Sequence, residues 1–410
     1  MNLRRSARHG VVLGIVLALA LASATTSARA EATIDWMATV DEATAKVPGL
    51  RADRARAIAW LAVFNALNAI EPRYRSYPPA PPPWPAGAPR ASADAAIAAA
   101  IYTALAVEPE ADHALLARRQ RETLAAVQSR IEREDGAILG RQAALMLLAA
   151  RSGDRLEREE APPRDAAVGV FVAPRDAKSP RSIQAMRLQP FGIRSVAALD
   201  PGPPPPVRSD AAVRENEAVR LLGGNKSSAR SADQTAAALF WISSEAGDYS
   251  ALVQRALAAR KLAPLDVARV AALDAIVSID SAIVGTAMKE RYLRWRPETA
   301  IAGELASPRD AAWQPLVPAP PSPEYPSTGA ISAGLLEVEL PRLFGLDGAV
   351  AMTNGRTQQT RQWPSAAALA DEFADSRIWA GAHFQSSIDA GRRIGRQLAT
   401  EVLAEQLQPR

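Results

Sequence analysis

Apolar residues recur at helical spacing along almost the whole 410-residue chain, and proline or glycine punctuates one helical run from the next. Alanine, leucine and arginine dominate, aromatic residues make up 5%, and strand-like alternation is hard to find. A chain of this pattern folds by packing amphipathic helices against one another. The spacing predicts helices over Ala52–Ile70 (stopped by Glu71-Pro72), Ser92–Val107 with Ser92 as N-cap, His113–Glu132 and Ala137–Ala150. Later runs follow over Asp210–Leu222, Ser231–Ala246, Tyr249–Leu262, Leu265–Trp295 and Ser386–Leu407. Between the two sets, Ala161–Ser209 is proline-rich and breaks the pattern. Its scattered Phe171, Val172, Met186 and Phe191 predict a surface wrap joining two helical halves rather than a free tether. No internal repeat is visible.

The first thirty residues read as an export signal. Arg4, Arg5 and Arg8 precede an apolar run, Val11–Ala22, and Ala28-Arg29-Ala30 is a small-residue cleavage site. The other reading is an uncleaved anchor, but the run is short for a bilayer span. Cleavage would leave residues 31–410 as one all-α domain, exported to the periplasm or secreted, with no stable membrane anchor. It would also remove four arginines and no acids. The whole chain has 48 Lys+Arg and 44 Asp+Glu, so the remainder is formally neutral. The basic character of the full chain therefore gives no reason to expect a nucleic-acid partner.

There is no cysteine, which excludes disulfides, thiolate metal sites and cysteine nucleophiles. Of three histidines, His9 lies in the leader and His113 in a charged segment; His383 remains. Two histidines are too few for a three-histidine zinc site.

Three short phrases carry the candidate chemistry. Lys289 precedes Arg296-Pro297 by seven residues, a spacing that puts both cations on one helical face. Pro297 predicts that the helix ends there, with the Arg296 guanidinium at its mouth. Taken alone, this also fits a solvated charged face. Pro326-Ser327-Thr328-Gly329 opens the next helix, with Ser327 as N-cap and free backbone N–H groups behind it. An ordinary cap has the same pattern. Arg377 precedes Gly381-Ala382-His383, where glycine allows a bend before the imidazole. In combination, the phrases supply forked and compact cations, a hydroxyl, a helix start and one imidazole, which suits a tetrahedral oxyanion.

The phrases resemble the signature of the type 2 phosphatidic acid phosphatase superfamily, in particular its vanadium-dependent haloperoxidase branch: Lys-x6-Arg-Pro, Pro-Ser-Gly-His and Ser-Arg-x5-His. Arg294-Trp295-Arg296-Pro297, Trp313-Gln314-Pro315-Leu316 and Pro323-Glu324-Tyr325-Pro326-Ser327 extend the likeness. So does Asn65-Ala66-Leu67-Asn68-Ala69-Ile70-Glu71-Pro72 near the start. The resemblance implies an all-α fold of helical bundles and a bound vanadate. It makes His383 the ligand of vanadium, or the nucleophile if the protein is a phosphatase. Lys289, Arg296, Ser327, the Thr328 N–H and Arg377 would then hold the oxyanion.

Two positions depart from the pattern. Gly329 stands where the family places a second, acid–base histidine, a loss worth roughly 10²–10⁴-fold in rate. Restoring that histidine is expected to raise whatever activity exists. Ser387 stands four residues after His383, where many members carry an orienting aspartate, and Asp389 is out of phase to replace it. The sequence thus leaves three readings: a peroxide-dependent oxidation of halide with weakened or altered activity, a phosphomonoester hydrolase working through a phosphohistidine, or a degraded anion-binding homologue. Trp241, Trp295 and Trp379 are candidates for lining an entrance, or for the core. Oligomeric state is not legible.

Overall fold

The computed structural model describes residues 31–85, 90–154, 156, 167–172, 183–244, 246–303 and 309–410, so the export signal read over residues 1–30 lies outside the described residues. The structure is mostly helical. Helix α1 covers residues 31–44. It is followed by α2 (Gly49–Ile70), α3 (Ala93–Leu105), α4 (His113–Ala126), α5 (Arg130–Ala150), α6 (Asp210–Gly223), α7 (Ala232–Ser243) and α8 (Ala246–Arg260). Then come α9 (Pro264–Tyr292), α10 (Pro297–Ala302), α11 (Thr328–Arg342), α12 (Ala366–Trp379) and α13 (Gln385–Glu405). Among the described residues, no helix is long and apolar enough to cross a membrane.

Side-chain caps set many of these starts. Ser92, Ser129, Ser209, Ser231, Ser327 and Ser365 each accept a bond from a backbone N–H in the first turn. The Ser129 cap corrects one expectation. The break predicted between Glu132 and Ala137 falls instead at residues 127–129, and Gly136 lies inside α5. A Cβ there would sit 2.3 Å from the Ser92 carbonyl oxygen, so the glycine lets α5 press against the start of α3. Asn65 and Asn68, at the end of α2, spend their amides on the following turn. Asn65 bonds both the N–H and the carbonyl of Tyr77, and Asn68 accepts from the N–H groups of Arg73 and Tyr74. They are structural residues.

Helices α2 and α9 run through the centre. Their buried faces join one apolar cluster that extends from Ile34 to Leu407. The irregular stretch before α6 is fastened to α9. The buried Asp280 carboxylate accepts the backbone N–H groups of Phe191, Gly192 and Ile193 at 2.6, 2.7 and 2.9 Å. Phe171 and Phe191 are buried, while Val172 and Met186 are exposed. A two-stranded hairpin, β1 (Val350–Thr353) with β2 (Thr360–Trp363), was not expected. Each strand has four residues, too few for alternation to stand out.

The contact that positions the site is between α11 and α13. Backbones meet there: a Cβ on Gly395 would lie 2.1 Å from the Ile331 carbonyl oxygen, and one on Gly391 2.5 Å from that of Ser327. Only hydrogen at these positions allows so close an approach. The first turn of α11 is thereby set beside the residues that lead into α13.

Candidate active site

His383 lies just before Phe384, the N-cap of α13. The chain reaches it through Gly381, which has φ +79°. A Cβ on Gly381 would meet the Gly223 carbonyl oxygen at 2.5 Å and the Pro315 Cβ at 2.8 Å, so only glycine fits both the angle and the space. The imidazole that follows is buried. Its Nδ1 lies 3.0 Å from Glu324 Oε1, and its Nε2 lies 3.1 Å from Arg296 Nη1.

These partners fix the ring's state. Arginine can only donate, so Nε2 must be the acceptor, and Nδ1–H donates to the carboxylate. Burial, and then the Arg296 charge, push the His383 pKa down to about 3, so the imidazole is neutral at ordinary pH. The pair His383–Glu324 is therefore a charge-assisted hydrogen bond rather than a salt bridge. The carboxyl of Glu324 is held below its usual range: burial opposes this, but the bond from His383 and the Arg294 charge outweigh it.

Glu324 is the residue that sequence reasoning missed. The structure puts its side chain at zero exposure, with Oε1 also accepting the Phe384 N–H at 3.0 Å. Arg294, itself buried, stands 3.9 Å from Glu324 Oε2 and 3.3 Å from Glu215 Oε2. Glu215, from α6, accepts the N–H and hydroxyl of Ser386 in the first turn of α13. Two carboxylates thus satisfy the α13 N-terminus, where helical geometry leaves donors unpaired. Ser387 bonds the backbone rather than the ring. Its hydroxyl donates to the Glu324 carbonyl at 3.3 Å, and its carbonyl accepts the Ser327 N–H at 3.2 Å. Asp389 turns outward and bonds Gln385.

Lys289 and Arg296 are both buried, but not on one helical face. Helix α9 ends at Tyr292, and Leu293 turns left-handed with φ +50°. Arg296 is instead the N-cap residue of α10. It donates to the Ser322 carbonyl (2.9 Å), the Ser322 hydroxyl (3.0 Å) and the Ala382 carbonyl (3.0 Å), besides His383. Lys289 Nζ donates to the carbonyls of Pro323 and Glu324 at 2.6 and 3.1 Å. Both cations thus grip the loop that carries Glu324. Burial drives the Lys289 pKa well down, helped by the Arg296 charge, and drives that of Arg296 down to about 10.

Ser327 is fully buried and its hydroxyl accepts the Ala330 N–H at 3.2 Å. Thr328 opens α11 and is exposed. Arg377 lies against Gly329: a Cβ there would be 2.9 Å from Arg377 Cδ. Its guanidinium donates twice to the Ser376 hydroxyl and rests 5.2 Å from the centre of the Phe373 ring. Burial alone pushes its pKa down to about 10. Among the described residues, no carboxylate lies within ion-pair distance of Lys289, Arg296 or Arg377. His113 is exposed at the start of α4. Trp241 and Trp295 belong to the apolar core, and Trp379 is half-buried.

Residues 269–408 match the family model of the VCPO second helical-bundle domain. The whole chain is similar to the structure of the first bacterial vanadium-dependent iodoperoxidase, with TM-score 0.77 and 20% identity over 93% of this chain and 97% of that one. It is also similar to the apo and holo forms of a bacterial vanadium-dependent chloroperoxidase. Both are 16% identical over 88% of this chain, with TM-scores of 0.68 and 0.65 and coverage of 95% and 93% of those chains. No curated protein matches the sequence. The chain therefore has the helical fold of the bacterial vanadium haloperoxidases and resembles the haloperoxidase-like branch of the type 2 phosphatidic acid phosphatase superfamily.

Proposed function

We propose that the protein is an exported vanadate-binding peroxidase of halides, in which His383 is the ligand of vanadium. One observation carries this reading. Two buried cations, Lys289 and Arg296, and a half-buried third, Arg377, none paired to a carboxylate among the described residues, gather around the start of α11 and a neutral imidazole whose Nε2 is free of a proton. Such a cluster is strained by its own charge until an anion enters. The donor set also fits vanadate: forked guanidinium groups and an ammonium for the oxygens, and a ring nitrogen for the metal.

Lys289, Arg296 and Arg377 would neutralise the oxygens, with the Ser327 hydroxyl hydrogen and the Thr328 N–H adding neutral donors at the helix start. Vanadate, when bound, supplies a Lewis-acidic centre that activates hydrogen peroxide toward a halide. The protein's own part is positional. Glu324 keeps the Nδ1 proton in place and so keeps Nε2 unprotonated. Arg296 must turn its Nη1–H away from Nε2 before that lone pair can be shared. An incoming oxyanion draws the guanidinium in that direction. No histidine stands at position 329 to move protons, so turnover is weak compared with what the rest of the site would support.

The test is to load purified protein with orthovanadate, remove the excess, and measure bound vanadium together with peroxide-dependent bromination or iodination of a dye. One vanadium per chain and turnover that needs both vanadate and His383 are expected. Release of phosphate from an aryl phosphate, blocked by vanadate, would replace this reading with a phosphohydrolase. Folded protein that takes up vanadate and does neither would reduce it to an anion-binding protein.

A further inference from the structure

A half-open cavity of about 340 Å³ lies between α9 and α11, flanked by α7, α8, β1 and α12. Its lining has two different ends. At one, Asp274 of α9 and Glu339 of α11 face a common space. Toward the other, Phe373 carries the Arg377 guanidinium over its ring, and the Ser332 hydroxyl bonds the Thr328 carbonyl. Glu339 lies eleven residues after Thr328 on one helix, about 16 Å along its axis. The cavity therefore runs along α11 from a carboxyl pair to Ser332, whose hydroxyl bonds the Thr328 carbonyl.

The carboxyl end is not satisfied by the protein. Glu339 is 3% exposed, and its Oε1 is buried without a hydrogen-bond partner. Asp274, half-buried, accepts the Tyr249 hydroxyl at 2.8 Å. Burial, reinforced by their mutual repulsion, raises Glu339 well above its ordinary range, while burial raises Asp274 to about 6. Behind Asp274 lie Asp41 and Asp53, with Arg56 as the neighbouring cation. Among the described residues, no group of three carboxylates or histidines is placed to hold a metal ion. One wall is aromatic and apolar, with Trp241 stacked on Phe373 at 4.3 Å beside Met352 and Leu335, and the α9 wall carries the hydroxyls of Ser278 and Ser281. An orphaned buried carboxyl oxygen, a second carboxyl beside it and aromatic walls suit a cation that brings hydrogen-bond donors and an apolar body.

We propose that this cavity binds an organic ammonium ion with an aromatic or branched apolar body, its charged end against Asp274 and Glu339. The apolar body then extends along α11 toward Phe373 and Arg377. The proposal does not rest on vanadate binding, and its test uses protein without vanadate.

Calorimetric titration of the full chain with phenethylammonium, 2-phenylethanol and phenylacetate decides it. The ammonium is expected to bind at least tenfold more tightly than the alcohol, and the carboxylate not to bind. Glu339→Gln and Asp274→Asn each lower ammonium affinity at least fivefold and leave the alcohol unchanged. Ser281→Phe, which fills the cavity and keeps both acids, abolishes binding. Equal affinity of the native protein for ammonium and alcohol overturns the proposal without any variant. So does a Ser281→Phe protein that binds as well as the native one.

Discussion

At the scale of single residues, the geometry of His383 depends on Glu324. Glu324→Gln keeps the volume and the bond to the Phe384 N–H but weakens the hold on the Nδ1 proton. Removing such an outer partner costs roughly 10–100-fold in metal affinity or activity. Vanadate affinity and dye bromination should both fall by that factor, with circular dichroism unchanged. His383, Lys289 and Arg296 were legible in the sequence because each is a scarce residue, or stands beside proline, at a recognisable spacing. Glu324 was not. It is one of 44 acids, and its role appears only when residues 322–327 fold back onto the approach to α13. Gly329 was legible as a departure, but its contact was not. A histidine there must displace Arg377, since even a Cβ would come within 2.9 Å of that side chain. Gly329→His is therefore expected to raise turnover at saturating vanadate and to weaken vanadate binding. Steady-state kinetics at graded vanadate, alongside direct vanadium titration, separates the two effects.

At the scale of elements, several helices were readable where a serine cap or a proline marked an end, but the Ser129 and Ser365 caps went unread. Ser92, Ser209, Ser231 and Ser327 all begin helices as their positions suggest. Lys289 and Arg296 were misread as sharing a face because nothing in the pattern signals that Leu293 leaves the helix with positive φ. A bulky aliphatic residue rarely adopts that angle. The stretch before α6 was read as a wrap, and the fastening of its described residues was hidden in the middle of α9. Asp280 there replaces three backbone partners at once. Asp280→Ala would leave those N–H groups buried and unpaired and should cost about 3 kcal/mol. Chemical denaturation would show it as a lowered midpoint, and limited proteolysis as new cleavage near residues 190–195.

At the scale of the whole molecule, we infer that residues 31–410 form one domain, supported by the apolar cluster that draws on both helical halves. Its stability should depend on acid in a way that His383 partly controls. The folded pKa of this residue is near 3, below the ordinary 6.5, so the unfolded chain binds the proton more readily. The contribution is fully present above about pH 6.5 and is lost as pH falls toward 3. Glu324, whose pKa is also lowered, acts in the same direction at the acid end. His383→Gln should therefore lose less stability than the native protein between pH 6.5 and 4. Thermal melting at several pH values measures the difference, and parallel curves for the two proteins would contradict it.

The bond from Arg296 to the ring nitrogen has a consequence for the resting protein. An open imidazole is prey to electrophiles and to stray transition ions. Here a guanidinium stoppers it, and only a visitor with enough negative charge can draw the stopper. The protein thereby screens its visitors by charge before any of them meets the reactive atom.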